Sequence, residues 1–322
     1  MEIIANTTQF YLQRETAAAI GKFDGIHIGH RRLLEEIFMR KKEGMAACVF
    51  TFDPSPAVFF GNNKGKDGEN PGSYALNTKE EKRILFERMG VDILIEFPLD
   101  RETAAMPPKT FVYEILVKRM NIKFLAAGSD LSFGADGAGD ASLLRRLGPG
   151  LGFDFVTIDK VCLSGQEVSS TLVRSKVEEG DMAMVQRLLG MPYMMAGKVE
   201  EGNQIGRTIG FPTINILPGP HKLLPPKGVY FSRVHCRGKV YRAVSNVGCR
   251  PTVSDSQAVW VETYLYDFEE EIYGEYVEVY LCTFHRPERR FENLEELRRQ
   301  LEEDIRIGNE GRQCPEKTAE FI

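Results

Sequence analysis

An α/β half carrying a mostly parallel sheet, followed by a smaller antiparallel β-barrel with a terminal helix, is the architecture the sequence predicts. Short apolar runs alternate with helical patterns as far as Glu179, which is the rhythm of βαβ units. After about residue 190, apolar and polar residues alternate one by one, with turn signals between short runs, as in barrels. A last run, Leu294–Ile305, has its apolar residues at helical spacing.

Thr16–Ile20 is an unbroken apolar run of strand length. The turn Gly21 to His30 follows it, and then a helix over Arg31–Met39, with Leu33, Leu34, Ile37 and Phe38 on one face. Further strands are expected at Ala46–Phe52, Ile93–Phe97, Phe124–Ala127 and Phe153–Ile158, and helices at Lys79–Met89, Thr110–Arg119, Ala141–Leu147 and Ser175–Glu179. Gly61–Gly72 is polar and glycine-rich. It reads as a mobile surface loop or as a lysine-bearing phosphate loop, although its spacing matches no P-loop. In the second half, Gly228–Cys236 and Lys239–Val247 read as strands joined by the hairpin turn Arg237-Gly238. Glu262–Tyr266 is another strand, and Tyr276–Leu281 alternates with period two. Asn293 caps the terminal helix, its glutamate-rich first turn suits the helix dipole, and the tail from Gly308 is polar and loose. The change of pattern divides the chain into domains at 1–186 and 187–322.

A chain of 322 residues has room for two cores. A net charge of −5 argues against general nucleic-acid binding. No apolar run approaches the ~20 residues of a membrane helix, and Met1-Glu2-Ile3-Ile4 lacks the layout of a signal peptide. Cys48, Cys162, Cys236, Cys249, Cys282 and Cys314 form no close pair. The expectation is therefore reduced thiols in a cytoplasmic protein, with neither a zinc site nor a disulfide framework. Small molecules are the expected partners, and the oligomeric state is open.

Gly21-Lys22-Phe23-Asp24-Gly25-Ile26-His27-Ile28-Gly29-His30 is the most informative stretch. A glycine-rich turn at a helix start brings N–H groups close to an anion. Two imidazoles add donors, and positive charge if protonated. Val168-Ser169-Ser170-Thr171-Leu172-Val173-Arg174 offers three hydroxyls and a guanidinium before a helical run, either to hold phosphate or as an ordinary cap. Gly128-Ser129-Asp130-Leu131-Ser132-Phe133-Gly134 follows another strand and is a second binding edge or a plain loop. In the second half, Thr213 and Asn215 lie two apart on an extended chain, so both face one side with oxygens that suit a hard cation. Pro-Thr-x-Asn is also compatible with a structural turn.

The His27-x-Gly-His30 turn resembles the phosphate-binding motif of the nucleotidyltransferase superfamily. Gly206-Arg207-Thr208-Ile209-Gly210-Phe211-Pro212-Thr213-Ile214-Asn215 resembles the riboflavin kinase signature. Gly228-Val229-Tyr230 and Asn246-Val247-Gly248-Cys249-Arg250-Pro251-Thr252 resemble that family's next motifs, and Glu262 stands where it carries a catalytic carboxylate. The whole order is similar to the bacterial bifunctional riboflavin kinase/FAD synthetase family, over roughly residues 15 to 306.

The resemblance implies a Rossmann-like nucleotidyltransferase domain and a riboflavin kinase-like barrel. The barrel would phosphorylate riboflavin to FMN, and the first domain would adenylylate FMN to FAD, with ATP and Mg2+. Gly21, Phe23, Asp24, Gly25, His27, His30, Ser169, Ser170, Thr171 and Arg174 would then meet ATP in the first domain, with His27 and His30 catalytic, and Asp53, Asp130 and Phe133 would meet FMN. In the kinase, Gly206, Arg207, Gly210, Thr213 and Asn215 would bind ATP, with Thr213 and Asn215 on the metal. Tyr230, Asn246 and Arg250 would bind the flavin, and Glu262 would be the catalytic base. The sequence departs from the family at Lys22, Ser55 and Leu131. The alternatives are a riboflavin kinase with a weak or lost second activity, and a non-catalytic flavin or nucleotide sensor.

Overall fold

The computed structural model describes residues 1–61, 74–202, 205–249, 258–310 and 314, the side chains of Ile205 and Arg207 excepted. The glycine-rich loop expected at 61–72 therefore lies outside the described residues beyond Gly61. The chain forms two compact units, Met1–Tyr74 with Lys82–Ser169, and Ala75–Glu81 with Ser170–Ile322.

The first unit is built on six parallel strands: β1 (Glu2–Ala5), β2 (Thr16–Ile20), β3 (Ala46–Asp53), β4 (Ile93–Pro98), β5 (Ile122–Gly128) and β6 (Asp154–Ile158). Their order is β1-β4-β3-β2-β5-β6. Chain order therefore reverses between β2 and β5, whose registers run Ala17↔Phe124 to Ile20↔Ala127. A crevice opens beyond the carboxyl ends of two strands at such a reversal, and both glycine-rich turns found in the sequence emerge there. β2 and the first six residues of β3 are buried throughout, as expected of a sheet covered on both faces. Helix α1 (Ile28–Lys42) buries Leu33, Leu34 and Ile37, while Phe50, Phe97, Phe111 and Phe133 pack within one core. α2 (Lys79–Met89) has the expected bounds, and α3 (Phe111–Arg119) is wound with π-helical pitch. α4 (Ala141–Leu151) is capped by Asp140 and ends at Gly152 in the left-handed region.

The second unit holds α5 (Ser170–Glu179), α6 (Met182–Leu189) and a closed barrel. The barrel strands are β7 (Tyr193–Glu200), β8 (Thr213–Ile216), β9 (Gly228–Cys236), β10 (Lys239–Cys249), β11 (Val259–Leu265) and β12 (Tyr276–Pro287). They close in the order β7-β8-β11-β10-β9-β12, every pairing antiparallel. Arg237 (φ 50°) and Gly238 (φ 74°) make the expected two-residue hairpin turn. Inside the barrel, Ser232, Ser245 and Thr263 satisfy one another at 2.7 and 2.9 Å. α7 (Leu294–Asn309) follows, capped by Asn293.

β1, β7 and α6 were not expected. Tyr193-Met-Met-Ala-Gly-Lys is poor in β-branched residues, and its first five residues are buried on both faces, so no alternation betrays β7. The signals for α6 were present: Asp181 accepts from the Met184 N–H, and Gly190 closes the helix at φ 71°. The expected domain division at 186/187 falls within α6. The expectation of thiols without a disulfide is also corrected. Cys282 and Cys314 are bonded, with Cα atoms 5.5 Å apart. A separation of 32 residues gives no pairing cue in sequence, and the tail expected to be loose is fastened there.

Candidate active sites

In the first unit the site begins where β2 ends. Phe23 and Ile26 have φ of 47° and 40°, uncommon for side chains of this size, and both are buried. This strained turn ends at His27, the N-cap of α1, whose Nδ1 accepts the His30 backbone N–H at 3.3 Å. That bond places the proton of the neutral ring on Nε2. The His30 ring stacks on His27 with centroids 3.8 Å apart and an interplanar angle of 14°. A Cβ at Gly29 would lie 3.1 Å from His27 Nδ1, so a larger residue would push the ring by a few tenths of an ångström.

Burial lowers the His27 pKa to about 4, Asp24 opposing only in part, and burial holds His30 well below its ordinary value. Burial therefore favours the neutral form of both rings in the free protein. The pair contributes N–H donors rather than positive charge. Buried His30 Nδ1 has no hydrogen-bond partner, so the ring retains unused capacity toward a ligand.

Gly21 donates its N–H to the Phe50 carbonyl, and Gly25 (φ 87°) makes the bend. Phe23 is fully buried against His30 and Phe86, so it supports the pair and does not line a surface. Phe133 likewise belongs to the core, packed on Phe111 at 5.5 Å, because its two-residue strand turns it inward. Leu131 packs against the same core. Asp130 is exposed, 3.7 Å from the Lys160 ammonium, and Asp53 ends β3 at the same sheet edge. Ser55 opens the short helix Pro56–Phe59. Ser169 ends the first unit, whereas Ser170, Thr171 and Arg174 stand in the first turns of α5 in the second.

In the barrel, Asn215, Glu262 and Asn246 are register partners across three neighbouring strands, β8, β11 and β10. Side chains in register point to one face, so these three form a row. Thr213 stands two residues before Asn215 and is paired with Tyr264. Two cavities meet at Thr213. One runs over Asn215, Pro212 and the loop from Phe268 to Tyr273. The other holds Glu262, Asn246 and Tyr264, and is walled by Leu297, Leu301 and Ile305 of α7. Gly206 reaches the second cavity and sits so tightly that a Cβ would be 2.4 Å from the Phe211 carbonyl oxygen, and Gly210 takes φ 91°.

Asn246 donates to Glu288 Oε1 at 3.2 Å, which fixes it beside Glu262. Buried Asn215 Oδ1 has no hydrogen-bond partner. Two neutral oxygen donors, this carbonyl and the Thr213 hydroxyl, fit Mg2+ that takes its other ligands from water and phosphate. Among the described residues no group of histidine, cysteine and carboxylate side chains could hold a metal unaided.

Tyr230 is not in the cavity walled by α7. It is fully buried, bonds the Pro226 carbonyl at 2.5 Å and packs on Phe284. The Arg207 side chain and Arg250 lie outside the described residues. Arg286, Glu288 and Asp304, given no role from the sequence, also line this cavity, and the leucine stripe of α7, seen in sequence only as helical spacing, forms its wall.

Each half of the chain matches a known family. Residues 10–172 match the FAD synthetase family and residues 189–310 the riboflavin kinase family. The bifunctional riboflavin kinase/FMN adenylyltransferase of Escherichia coli (strain K12) is 36% identical over 294 residues, 91% of each chain. The protein so named from Listeria monocytogenes is 33% identical over 299 residues, 92% of this chain and 93% of its own. A crystal structure from Streptococcus pneumoniae superposes with a TM-score of 0.80 and 28% identity, covering 95% of this chain and 98% of that one. It is called a macrolide-efflux protein, yet no helix among the described residues here is long and apolar enough to cross a membrane.

Proposed function

The chain belongs to the bifunctional riboflavin kinase/FMN adenylyltransferase family, and from that premise we propose that it converts riboflavin to FMN and FMN to FAD. The observation that carries the kinase reading is the row Asn215, Glu262, Asn246 beside the junction of two cavities. ATP enters over Asn215 and Pro212, riboflavin lies under α7, and the γ-phosphate meets the ribityl hydroxyl near Thr213. Glu262 takes the hydroxyl proton as its oxygen attacks the γ-phosphorus, and ADP leaves. Asn246, held by Glu288, orients the hydroxyl. Thr213 and Asn215 would hold Mg2+, which would supply charge to offset that of the phosphates. Arg207, Gly206 and Gly210 are assigned to ATP, and Arg250 to the flavin, on their motifs alone.

Adenylyl transfer is assigned to residues 1–186 and phosphorylation to 187–322. An FMN phosphate oxygen attacks the α-phosphorus of ATP, and pyrophosphate leaves without a protein nucleophile. His27 Nε2–H and the N–H groups opening α1 donate to oxygens whose charge grows in that step. Gly21, Asp24 and Gly25 shape the cradle, Asp53 and Asp130 stand on the FMN side, and Ser169, Ser170, Thr171 and Arg174 serve ATP on their motif. Both reactions are placed in the cytoplasm.

The test is incubation with riboflavin, ATP and Mg2+, followed by chromatography of the flavins. FMN and FAD are both expected. FMN without FAD overturns the second activity, and neither product overturns the reading entirely.

A further inference from the structure

We propose that the Cys282–Cys314 pair is a redox latch on α7, and through it on the flavin-side cavity of the barrel. The inference rests on the kinase reading above, because the cavity it controls is the proposed riboflavin site. Every residue that the α7 side gives to that cavity, from Arg286 and Phe291 to Leu297, Leu301, Asp304 and Ile305, lies between the two cysteines in sequence. The bond therefore closes one loop of chain around that entire wall.

Near its C-terminal end the helix packs Ile305 and Ile307 on Val229, Phe231, Val244 and Tyr266, and Gly308 lies close against Tyr266 and Phe231. Asp304 alone is fully buried among the residues of α7. It accepts from Arg286 at 2.5 Å and from His285 at 3.2 Å, and these bonds tie the middle of the helix to β12. Tyr266 donates to the Ile305 carbonyl at 2.6 Å, and Arg242 to that of Asn309 at 3.2 Å. Beyond Asn309 the described anchors are both at Cys314: its sulfur to Cys282, and its carbonyl to Arg233 at 2.9 Å. Cys282 is buried in β12, so one end of the latch is a fixed barrel strand and the other a tail. Neither sulfur lines either of the two cavities described above, so the bond lies apart from the proposed kinase site. Disulfides in reducing compartments are mostly catalytic or sensing. With catalysis set aside, sensing fits the cytoplasmic placement.

A dithiol reductant opens the latch. Its thiolate attacks one sulfur, the Cys282–Cys314 bond breaks, two electrons and two protons yield two thiols, and the reductant leaves as a disulfide. A protein or small-molecule disulfide closes it by the reverse exchange. The open form regains the chain freedom that the bond removed. α7 then spends part of its time undocked, and riboflavin binds only the docked fraction.

The experiment compares full-length protein oxidised and treated with dithiothreitol, the state of the pair being read by mass spectrometry. Reduction is expected to raise the riboflavin KM roughly fivefold, as when about a fifth of the molecules are competent, with kcat near unchanged. FAD synthesis from supplied FMN should not move, and hydrogen exchange should quicken along α7. Cys314→Ser should match the reduced protein and ignore dithiothreitol. Cys162 and Cys249, whose thiols are not buried, remain in that variant as controls. An unchanged KM and unchanged α7 exchange on verified reduction overturn the latch. So does a pair that stays reduced under a disulfide oxidant. If no FMN forms in either state, the kinase reading fails, and α7 exchange still decides whether the bond fastens the helix.

Discussion

Each site depends on a residue whose surroundings fix its chemistry. Glu262 sits between two amides in register, so Glu262→Gln keeps shape and hydrogen bonding but removes the base. FMN formation should fall by a factor of about 10² to 10⁴, the usual worth of a positioned base. FAD formation from added FMN should persist, and chromatography with each substrate reads the two rates separately. His27 makes the opposite kind of case, because burial keeps it uncharged. Its pKa is about 4 in the folded chain against 6.5 in the open one. The unfolded chain thus binds the extra proton between those values, so stability is full above pH 6.5 and drains away as pH falls toward 4. A shift of that size corresponds to about 3 kcal/mol. His27→Asn keeps an N-cap oxygen but cannot titrate, so its urea midpoint should fall less than wild type between pH 7 and pH 4.5. Equal falls would show that the imidazole contributes nothing to the acid sensitivity.

At the scale of elements, the second unit recruits a piece of chain from far upstream. Thr78 and Glu81 form a capping box on α2, with Thr78 N–H on Glu81 at 3.0 Å and Glu81 N–H on Thr78 Oγ1 at 3.2 Å. The same carboxylate accepts the Ala196 N–H of β7 at 3.1 Å and the Lys222 ammonium at 2.6 Å, with both side chains wholly buried. Glu81→Gln leaves a buried ammonium without its counter-charge and should cost about 3–5 kcal/mol. Glu81→Gln with Lys222→Met should recover much of that loss. Trp260, the one tryptophan of the chain, lies in β11, so its fluorescence during thermal unfolding reports the barrel. Equal melting of single and double variants would remove the pair from the argument. The capping box is legible in sequence; its partner Lys222, 141 residues away, is not. The same limit explains the rest. Periodicity revealed α2, the β9–β10 hairpin and the alternating barrel strands, because those patterns are local. β7 is buried on both faces over its first five residues, and the Cys282–Cys314 pair joins distant segments, so neither leaves a local mark. Motifs named His27, His30, Thr213, Asn215 and Glu262, and the structure brings the first two together at the start of α1 and the other three onto neighbouring barrel strands. They could not distinguish Phe133 and Tyr230, which pack inward, from residues that face a ligand.

On the scale of the whole molecule, the imidazole pair and the register row of the barrel stand in different compact units. The His27–His30 pair and its sheet edge belong to the first unit, and the Asn215–Glu262–Asn246 row to the second. No residue of the row comes from the first unit, and neither imidazole comes from the second. A lesion in one set should therefore spare the other, and FMN should be the only product of one reaction that the other consumes. That arrangement predicts complementation between different molecules. Glu262→Gln has no kinase base but an intact imidazole pair. His30→Ala has the reverse, and its loss of a donor to the growing charge should cost about 10²- to 10³-fold in FAD synthesis. Neither variant alone should turn riboflavin into FAD at a useful rate. Mixed in equal amounts with riboflavin, ATP and Mg2+, they should do so after a lag. FMN made by His30→Ala must first leave, diffuse and reach Glu262→Gln. The lag should shorten as protein concentration rises, and FMN added at the start should abolish it. FMN that accumulates while no FAD appears, in a mixture whose Glu262→Gln partner converts added FMN, would mean that the flavin made by one chain is not released to another.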